Sequence, residues 1–424
     1  MTVTKTHRPG AAMTNRWALL ALLCFTRATM GMQSQSIPPV APHLVADLGL
    51  SYAQVGWLIG LFSAPGLALA FLGGLFAARL GDKRVMVFGL TLLVLGAEVF
   101  SFSIGFPTAF AGRLVSGTGF VLVNMLMMKI VTDRFAGREL STAMGILMMS
   151  WPLGISLSLA VLGGVAESAG WRLAIHATAG LSLGPLVLVT LLLPGERRTT
   201  EASPAGSSAG RTIVPGLGVQ SPWPTPRELL PIIVLGVLWG LYNSAFSVFI
   251  GFAPTLLSTR GISDAAANAA VSAASWVWLV SLPLGGVLAD RFGRPTLFIV
   301  GGALCSALLL AVLPWAIQLT TLVATTLLIA LVGLVFGAPP GSVMALPAQV
   351  MRPPVRSIGF GIFYTGNYLL MAGLPPMGGW LLDRTGQDAA AVWFAGSLFL
   401  AMLPVLLLFL HLRGRRIQVA SPER

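Results

Sequence analysis

Long apolar runs, each near the length of a bilayer crossing, alternate with short polar loops along the whole chain. A helix needs roughly 20 apolar residues to span the hydrocarbon core. Such runs fall at 17–39, 52–77, 85–104, 108–130, 141–163, 171–193, 230–256, 265–288, 296–315, 319–345, 357–381 and 388–411. They are long and do not alternate in polarity, so they predict helices rather than barrel strands. The one long polar interruption, 195–229, is rich in Pro, Gly and Ser, which predicts a flexible linker between two domains. The expected architecture is an all-α membrane protein of twelve transmembrane helices. Its parts are a tail at 1–16, a six-helix half at 17–194, the linker at 195–229, a second six-helix half at 230–411 and a tail at 412–424.

Composition supports lipid as the solvent. Hydrophobic residues make up 55% of the 424 residues and charged residues only 9%, against roughly 25% in soluble domains. The net charge of +12 could suggest nucleic acid, but its distribution follows topology instead. Lys5, Arg8, Arg16, Lys83, Arg84, Lys129, Arg134, Arg138, Arg197, Arg291, Arg294, Arg352, Arg356 and Arg413 lie on one set of loops or tails. The opposite set holds only Arg172, Arg260 and Arg384. By the positive-inside rule both termini are cytoplasmic. The first apolar run lacks a cleavage site after it and is expected to be a retained span. Cys24 and Cys305 sit in apolar runs, where a disulfide framework is not expected. The four histidines are scattered without metal-like spacing, so no metal, cofactor or enzyme chemistry is expected.

The two halves resemble each other at a constant offset of 212 positions. Ala41, Pro42 and Leu44 align with Ala253, Pro254 and Leu256; Gly49, Ser51 and Ala53 with Gly261, Ser263 and Ala265. Leu72, Gly73, Gly74, Ala77, Arg79 and Gly81 align with Leu284, Gly285, Gly286, Ala289, Arg291 and Gly293. A six-plus-six repeat of this kind predicts two halves related by a pseudo-two-fold axis along the membrane normal. A solute site is then expected at their interface, exposed to each side in turn as the halves rock.

The repeated segment also carries a family likeness. GGVLADRFGRP, Gly285 to Pro295, resembles the loop motif of the major facilitator superfamily. Gly73 to Arg84 is a degraded copy in which Ala78 replaces the Asp and Asp82 replaces an Arg. Arg113, Gly117 and Gly119 in span four resemble a second element. In span five, Trp151-Pro152 replaces the Gly-Pro of the drug-antiporter motif. Span seven, Trp239 to Leu257, and the early arginine resemble the cyanate-permease-type group. The resemblance implies the major facilitator fold, alternating access, a bacterial inner membrane and a monomer. It also implies a cytoplasmic gate at Gly74, Arg79, Gly81, Gly286, Asp290, Arg291, Gly293 and Arg294. Charge–dipole contact and Arg pairing at Asp290 would lock that gate.

Charges inside the spans need a reason, because one at a helix centre costs about 2.5–3.5 kcal/mol on insertion scales. Arg27 lies mid-span with Gly31 and Ser34 on its stripe and no carboxylate in its helix. In the family's fold the first helix lines the cavity, so Arg27 would offer a five-donor fork to an oxyanion. Arg113 and Glu98 lie at similar depth in adjacent spans, and a structural or coupling pair between them is expected, with a solute contact by Arg113 as the alternative. Trp239, Tyr242 and Asn243 share a stripe of span seven; Tyr364, Asn367 and Tyr368 share one of span eleven; Asn124 lies on span four. With Arg27 and Ser34 these form the expected solute site. The chemistry fits a carrier of a small anion, an organic acid or a cyanate-like ion, with a possible coupling proton. Export of a neutral or hydrophobic compound is the alternative; a sensor would bring a folded soluble domain.

Overall fold

The computed structural model describes residues 15–69, 81–135, 139–193, 223–352 and 355–420. Those residues form helices and turns, with no strand among them. In chain order the helices are α1 (Arg16–Ser34), α2 (Ala41–Leu48), α3 (Tyr52–Gly60), α4 (Asp82–Ser101), α5 (Phe106–Phe135), α6 (Leu140–Ala169), α7 (Trp171–Leu192) and α8 (Pro226–Ser258). They continue as α9 (Asp264–Phe292), α10 (Pro295–Leu319), α11 (Leu322–Phe336), α12 (Pro339–Ala345), α13 (Pro347–Val350), α14 (Arg356–Thr385) and α15 (Ala390–Ala420).

Local chemistry sets the boundaries. The first apolar run does not continue to residue 39: Pro38 and Pro39 cannot extend a helix, so α1 ends at Ser34 and a short 3₁₀ turn, Pro38–Val40, follows. Ser51 and Gln54 form a reciprocal capping box that starts α3. Thr225 and Glu228 do the same for α8, with Pro226 at its first position, so this helix begins inside the predicted linker. The run at 319–345 is split into α11 and α12 at Gly337, before Pro339 and Pro340. Gly337 packs there on Ser281 of α9, 2.1 Å from where a Cβ would stand. The linker section 194–222 lies outside the described residues.

Nine segments among the described residues are long and apolar enough to cross a membrane. The chain is thus a multi-pass membrane protein. Of the predicted spans, those at 17–39, 52–77 and 357–381 are not among these nine. The second runs into residues 70–80, outside the described set. The first and the eleventh carry Arg27, Gln33 and Ser34, and Tyr364, Asn367 and Tyr368, which face protein rather than lipid.

Packing sorts the helices into two groups. In the first, α1 lies on α6, and α4 lies on α5 and α7. In the second, α8 lies on α14 and α15, α9 on α11, and α10 on α15. The groups meet along two seams, α3 on α14 and α6 on α9. Small residues let backbones touch, as membrane helix association requires. A Cβ on Gly154 would stand 2.0 Å from the Ala28 carbonyl oxygen, bringing α6 onto α1. Gly56 and Gly60 of α3 lie equally close to the Pro375 and Ala372 carbonyls of α14, at 2.4 Å each.

Candidate solute site

Arg27 is at the centre of the polar girdle between the two groups. Its helix is held against α6 by Gly31 and Gly154, so its side chain is 8% exposed. One terminal nitrogen donates to Asn124 Oδ1 of α5 at 2.5 Å. The other lies 3.8 Å from Met148 Sδ. The Trp151 ring of α6 stands 5.6 Å from the guanidinium carbon, at cation–π range. Its Nε is buried and has no hydrogen-bond partner among the described residues. Tyr364 and Tyr368 of α14 lie near it, on the opposite group. Tyr368 also engages Asn124. No carboxylate among the described residues pairs with Arg27.

The opposite wall is an amide pair. Asn243 of α8 donates to Asn367 Oδ1 of α14 at 3.0 Å and to the Trp239 carbonyl at 2.9 Å. Asn367 donates in turn to Met371 Sδ at 3.4 Å. Trp239, Asn243, Tyr364, Asn124 and Trp151 are half-buried, whereas Asn367 and Tyr368 are buried. The girdle therefore presents one cation, three amides, two phenols and indole walls, with no acid among the described groups. Such a set binds an oxyanion by its donors and an apolar body by its rings.

Two expected members point elsewhere. The Tyr242 hydroxyl donates to the Phe336 carbonyl at 2.7 Å and the ring is fully buried, so this residue joins α8 to α11. The Ser34 hydroxyl folds back on the Gly31 carbonyl at 2.7 Å, satisfying itself within α1. Sequence reasoning missed Met148 and Trp151. In the sequence Trp151 reads only as a departure from a motif; its spacing of three from the small residue Gly154, on the same helix face, is the signal that marks it.

The expected Glu98–Arg113 pair is not formed. Arg113 donates instead to three backbone carbonyls, Leu58 at 2.8 Å, Gln33 at 2.9 Å and Ser34 at 3.0 Å, with the Phe62 ring 4.7 Å away. It thus ties the end of α1 to α3. Glu98 Oε2 lies 2.8 Å from His176 Nδ1 of α7 instead. The two residues share a depth but face different neighbours around their helices.

Of the expected gate, Gly74 and Arg79 lie outside the described residues. Gly81 precedes α4 at a φ of 85°, and Gly293 ends α9 at a φ of 62°, both in conformations that favour glycine. Gly286 lies 2.9 Å from a would-be Cβ on Gly341. Asp290, Arg291 and Arg294 are exposed. Asp82, the departure from the motif, accepts from Lys129 of α5 at 2.7 Å. Among the described residues no group of His, Cys, Asp or Glu could hold a metal ion.

A multi-pass helical protein with a polar girdle between two packed groups defines the carrier architecture as a class. The chain belongs to the Major Facilitator Superfamily, whose family model matches it in two overlapping stretches, residues 23–375 and 244–423. Among curated relatives, it is 30% identical over 210 residues to a probable vesicular acetylcholine transporter-B of Danio rerio, covering 47% of this chain and 42% of that protein. It is 26% identical over 313 residues to a 3-(3-hydroxy-phenyl)propionate transporter of Escherichia coli (strain K12), covering 72% and 73%. The chain thus spans less than half the length of the first of these two. Among solved structures, the inward-open conformation of the xylose transporter XylE from E. coli aligns with a TM-score of 0.72 at 15% identity, covering 92% of this chain and 95% of that one.

Proposed function

We propose that the chain is a secondary carrier that moves a small organic or inorganic anion by alternating access, with Arg27 as the group that meets the negative charge. The single observation behind this reading is the buried Arg27 guanidinium, with its Nε unpartnered and no carboxylate beside it among the described residues. A cation kept in that state costs free energy that a bound oxyanion returns. Asn124 and Trp151 hold the guanidinium plane; Asn243, Asn367, Tyr364 and Tyr368 supply donors for the rest of the solute. The hydroxyphenylpropionate transporter is a relative whose named solute is a carboxylate with an aromatic body, which suits a site of this composition. Twelve spans in two six-helix halves, cytoplasmic termini, a monomer in a bacterial inner membrane and a place near the cyanate-permease-type group belong to the same reading. So does proton coupling, with the proton carried by the solute's own oxyanion.

The test is uptake into proteoliposomes of benzoate, a hexuronate and cyanate, together with binding followed by thermal shift. Arg27→Gln should weaken binding of the accepted anion by at least about thirtyfold, the loss typical of removing one partner of a buried charge pair. Arg27→Lys should not restore it, because an ammonium cannot reproduce the planar fork. Wild-type uptake by Arg27→Gln would refute the assignment. The indole and phenol walls favour a second reading, export of a neutral aromatic compound; transport of such a compound unchanged by Arg27→Gln would establish it.

A further inference from the structure

At the ends of the two seams lies a pair of contacts that the solute site does not use. Asp383, in the last turn of α14, accepts from the backbone N–H of Tyr52 at 2.9 Å and of Ala53 at 2.7 Å, the first two residues of α3. Glu167, near the end of α6, accepts from the backbone N–H of Ala265, the second residue of α9, at 2.8 Å. Each carboxylate belongs to one helix group and caps a helix of the other. The first N–H groups of a helix have no partner within it and carry its positive dipole end, so a carboxylate is the anion they favour.

The donor sides of the two contacts also correspond in sequence. Shifted by 212 positions, Ala53 falls on Ala265, the pair already matched in the repeat. The same shift carries α3 onto the start of α9 and α6 onto α14. The shift carries Glu167 onto Gly379, about one helical turn before Asp383, so each seam is closed by a carboxylate cap of the same kind at nearby, not identical, positions of the opposite half. Backbone approach reinforces both: a Cβ on Gly379 would stand 2.0 Å from the Tyr52 carbonyl oxygen, and one on Gly163 would stand 3.3 Å from Ala265 Cα. A third contact, His43 Nε2 at 3.9 Å from Asp264 Oδ2, lies beside the second cap.

These contacts lie at the end of the bundle away from the Arg-rich loops. At the basic end, the described ion pairs stay within one group: Arg16 with Glu139, Asp82 with Lys129, Glu228 with Arg352. We propose that Asp383 and Glu167 form a crossed latch that holds the arginine-poor end shut and must release for that end to open. Capping is reversible and local, so the latch closes without a buried salt bridge to desolvate. The two carboxylates then set the balance between the two access states, whatever the solute.

The test is distance measurement between spin labels at Ala46→Cys and Thr320→Cys, exposed positions at this end in opposite groups, with Cys24 and Cys305 replaced by Ala. Double electron–electron resonance is recorded in nanodiscs without any solute. The parent should show a dominant short distance and a minor longer one. Asp383→Asn and Glu167→Gln should each raise a longer population by about fivefold, the equilibrium equivalent of a lost N-cap of ~1 kcal/mol, and the double variant by their product. Gly379→Ala leaves both carboxylates in place and should raise the same population by wedging α14 off α3; thermal melting checks that each variant is folded. Short distances throughout all of these variants would overturn the latch. Because no solute is present, that outcome would leave the anion reading untouched, and loss of the anion reading would leave the latch standing.

Discussion

The two buried arginines should answer the same substitution very differently. Arg113 satisfies three main-chain carbonyls, Leu58, Gln33 and Ser34, in a place where it is 2% exposed. Hydrogen bonds to a charged group are worth about 1.5–3 kcal/mol each. Arg113→Met recovers the desolvation cost of one cation but strands up to three buried acceptors. The net loss should be about 3–5 kcal/mol, the range found when one side of a buried charged network is removed. Arg27 makes one strong hydrogen bond, to Asn124, and leaves Nε unmet. Its insertion cost of about 2.5–3.5 kcal/mol roughly cancels the gain from that bond and from Trp151. Arg27→Met should therefore lie within about 1 kcal/mol of the parent or above it. Thermal unfolding of the purified protein in one detergent, read by intrinsic tryptophan fluorescence, compares the two directly. Arg113→Met should melt several degrees lower and Arg27→Met should not. Equal melting of both variants would refute the division into a structural and a solute-binding arginine. A large loss for Arg27→Met alone would reverse it.

Other expectations follow from the ion pairs. The Glu228 side chain is 1% exposed and holds Arg352 through both carboxylate oxygens, at 2.8 and 3.0 Å. A double-mutant cycle of Glu228→Gln and Arg352→Gln should show a coupling of about 1–3 kcal/mol; additive effects would show that the fork contributes nothing. Glu98 and His176 are each about a third exposed, so Glu98→Gln should change stability by no more than about 1 kcal/mol. A larger drop in melting would show that this pair supports the packing of α4 on α7.

What could be read from the sequence follows from what each signal measures. Hydropathy reports average polarity along a segment, so it found the lipid-facing helices well. It placed α1 and α14 near their correct positions, although Arg27, Gln33, Asn367 and Tyr368 lower their apolarity below that of a simple span. Proline and glycine chemistry explains the ends that hydropathy overran, at Pro38 and Pro339. The stripes on spans seven and eleven do meet, at the Asn243–Asn367 amide pair of the polar girdle. The site was misjudged where the span-seven stripe turns away, as at Tyr242, whose hydroxyl finds a carbonyl of α11. Depth in the membrane suggested Glu98 for Arg113, but depth carries no information about rotation around the helix axis. Asp383 and Glu167 were invisible for a different reason. Their partners are main-chain N–H groups, which every residue but proline possesses, so no side-chain pattern marks them.

The tandem Pro375-Pro376 in α14 has one further effect. Neither ring nitrogen can donate, so the carbonyls one turn earlier, Met371 and Ala372, lose their helical partners. Those oxygens face Gly60 of α3, where a side chain would collide with both. Across this contact α3 presents them with glycine backbone, whose Cα–H is only a weak donor. When the two helices separate, the same oxygens gain hydration, and that gain offsets part of the loss of a dry contact. The crease in α14 thus places two acceptors without their usual helical donors inside the contact itself, where parting of the helices exposes them.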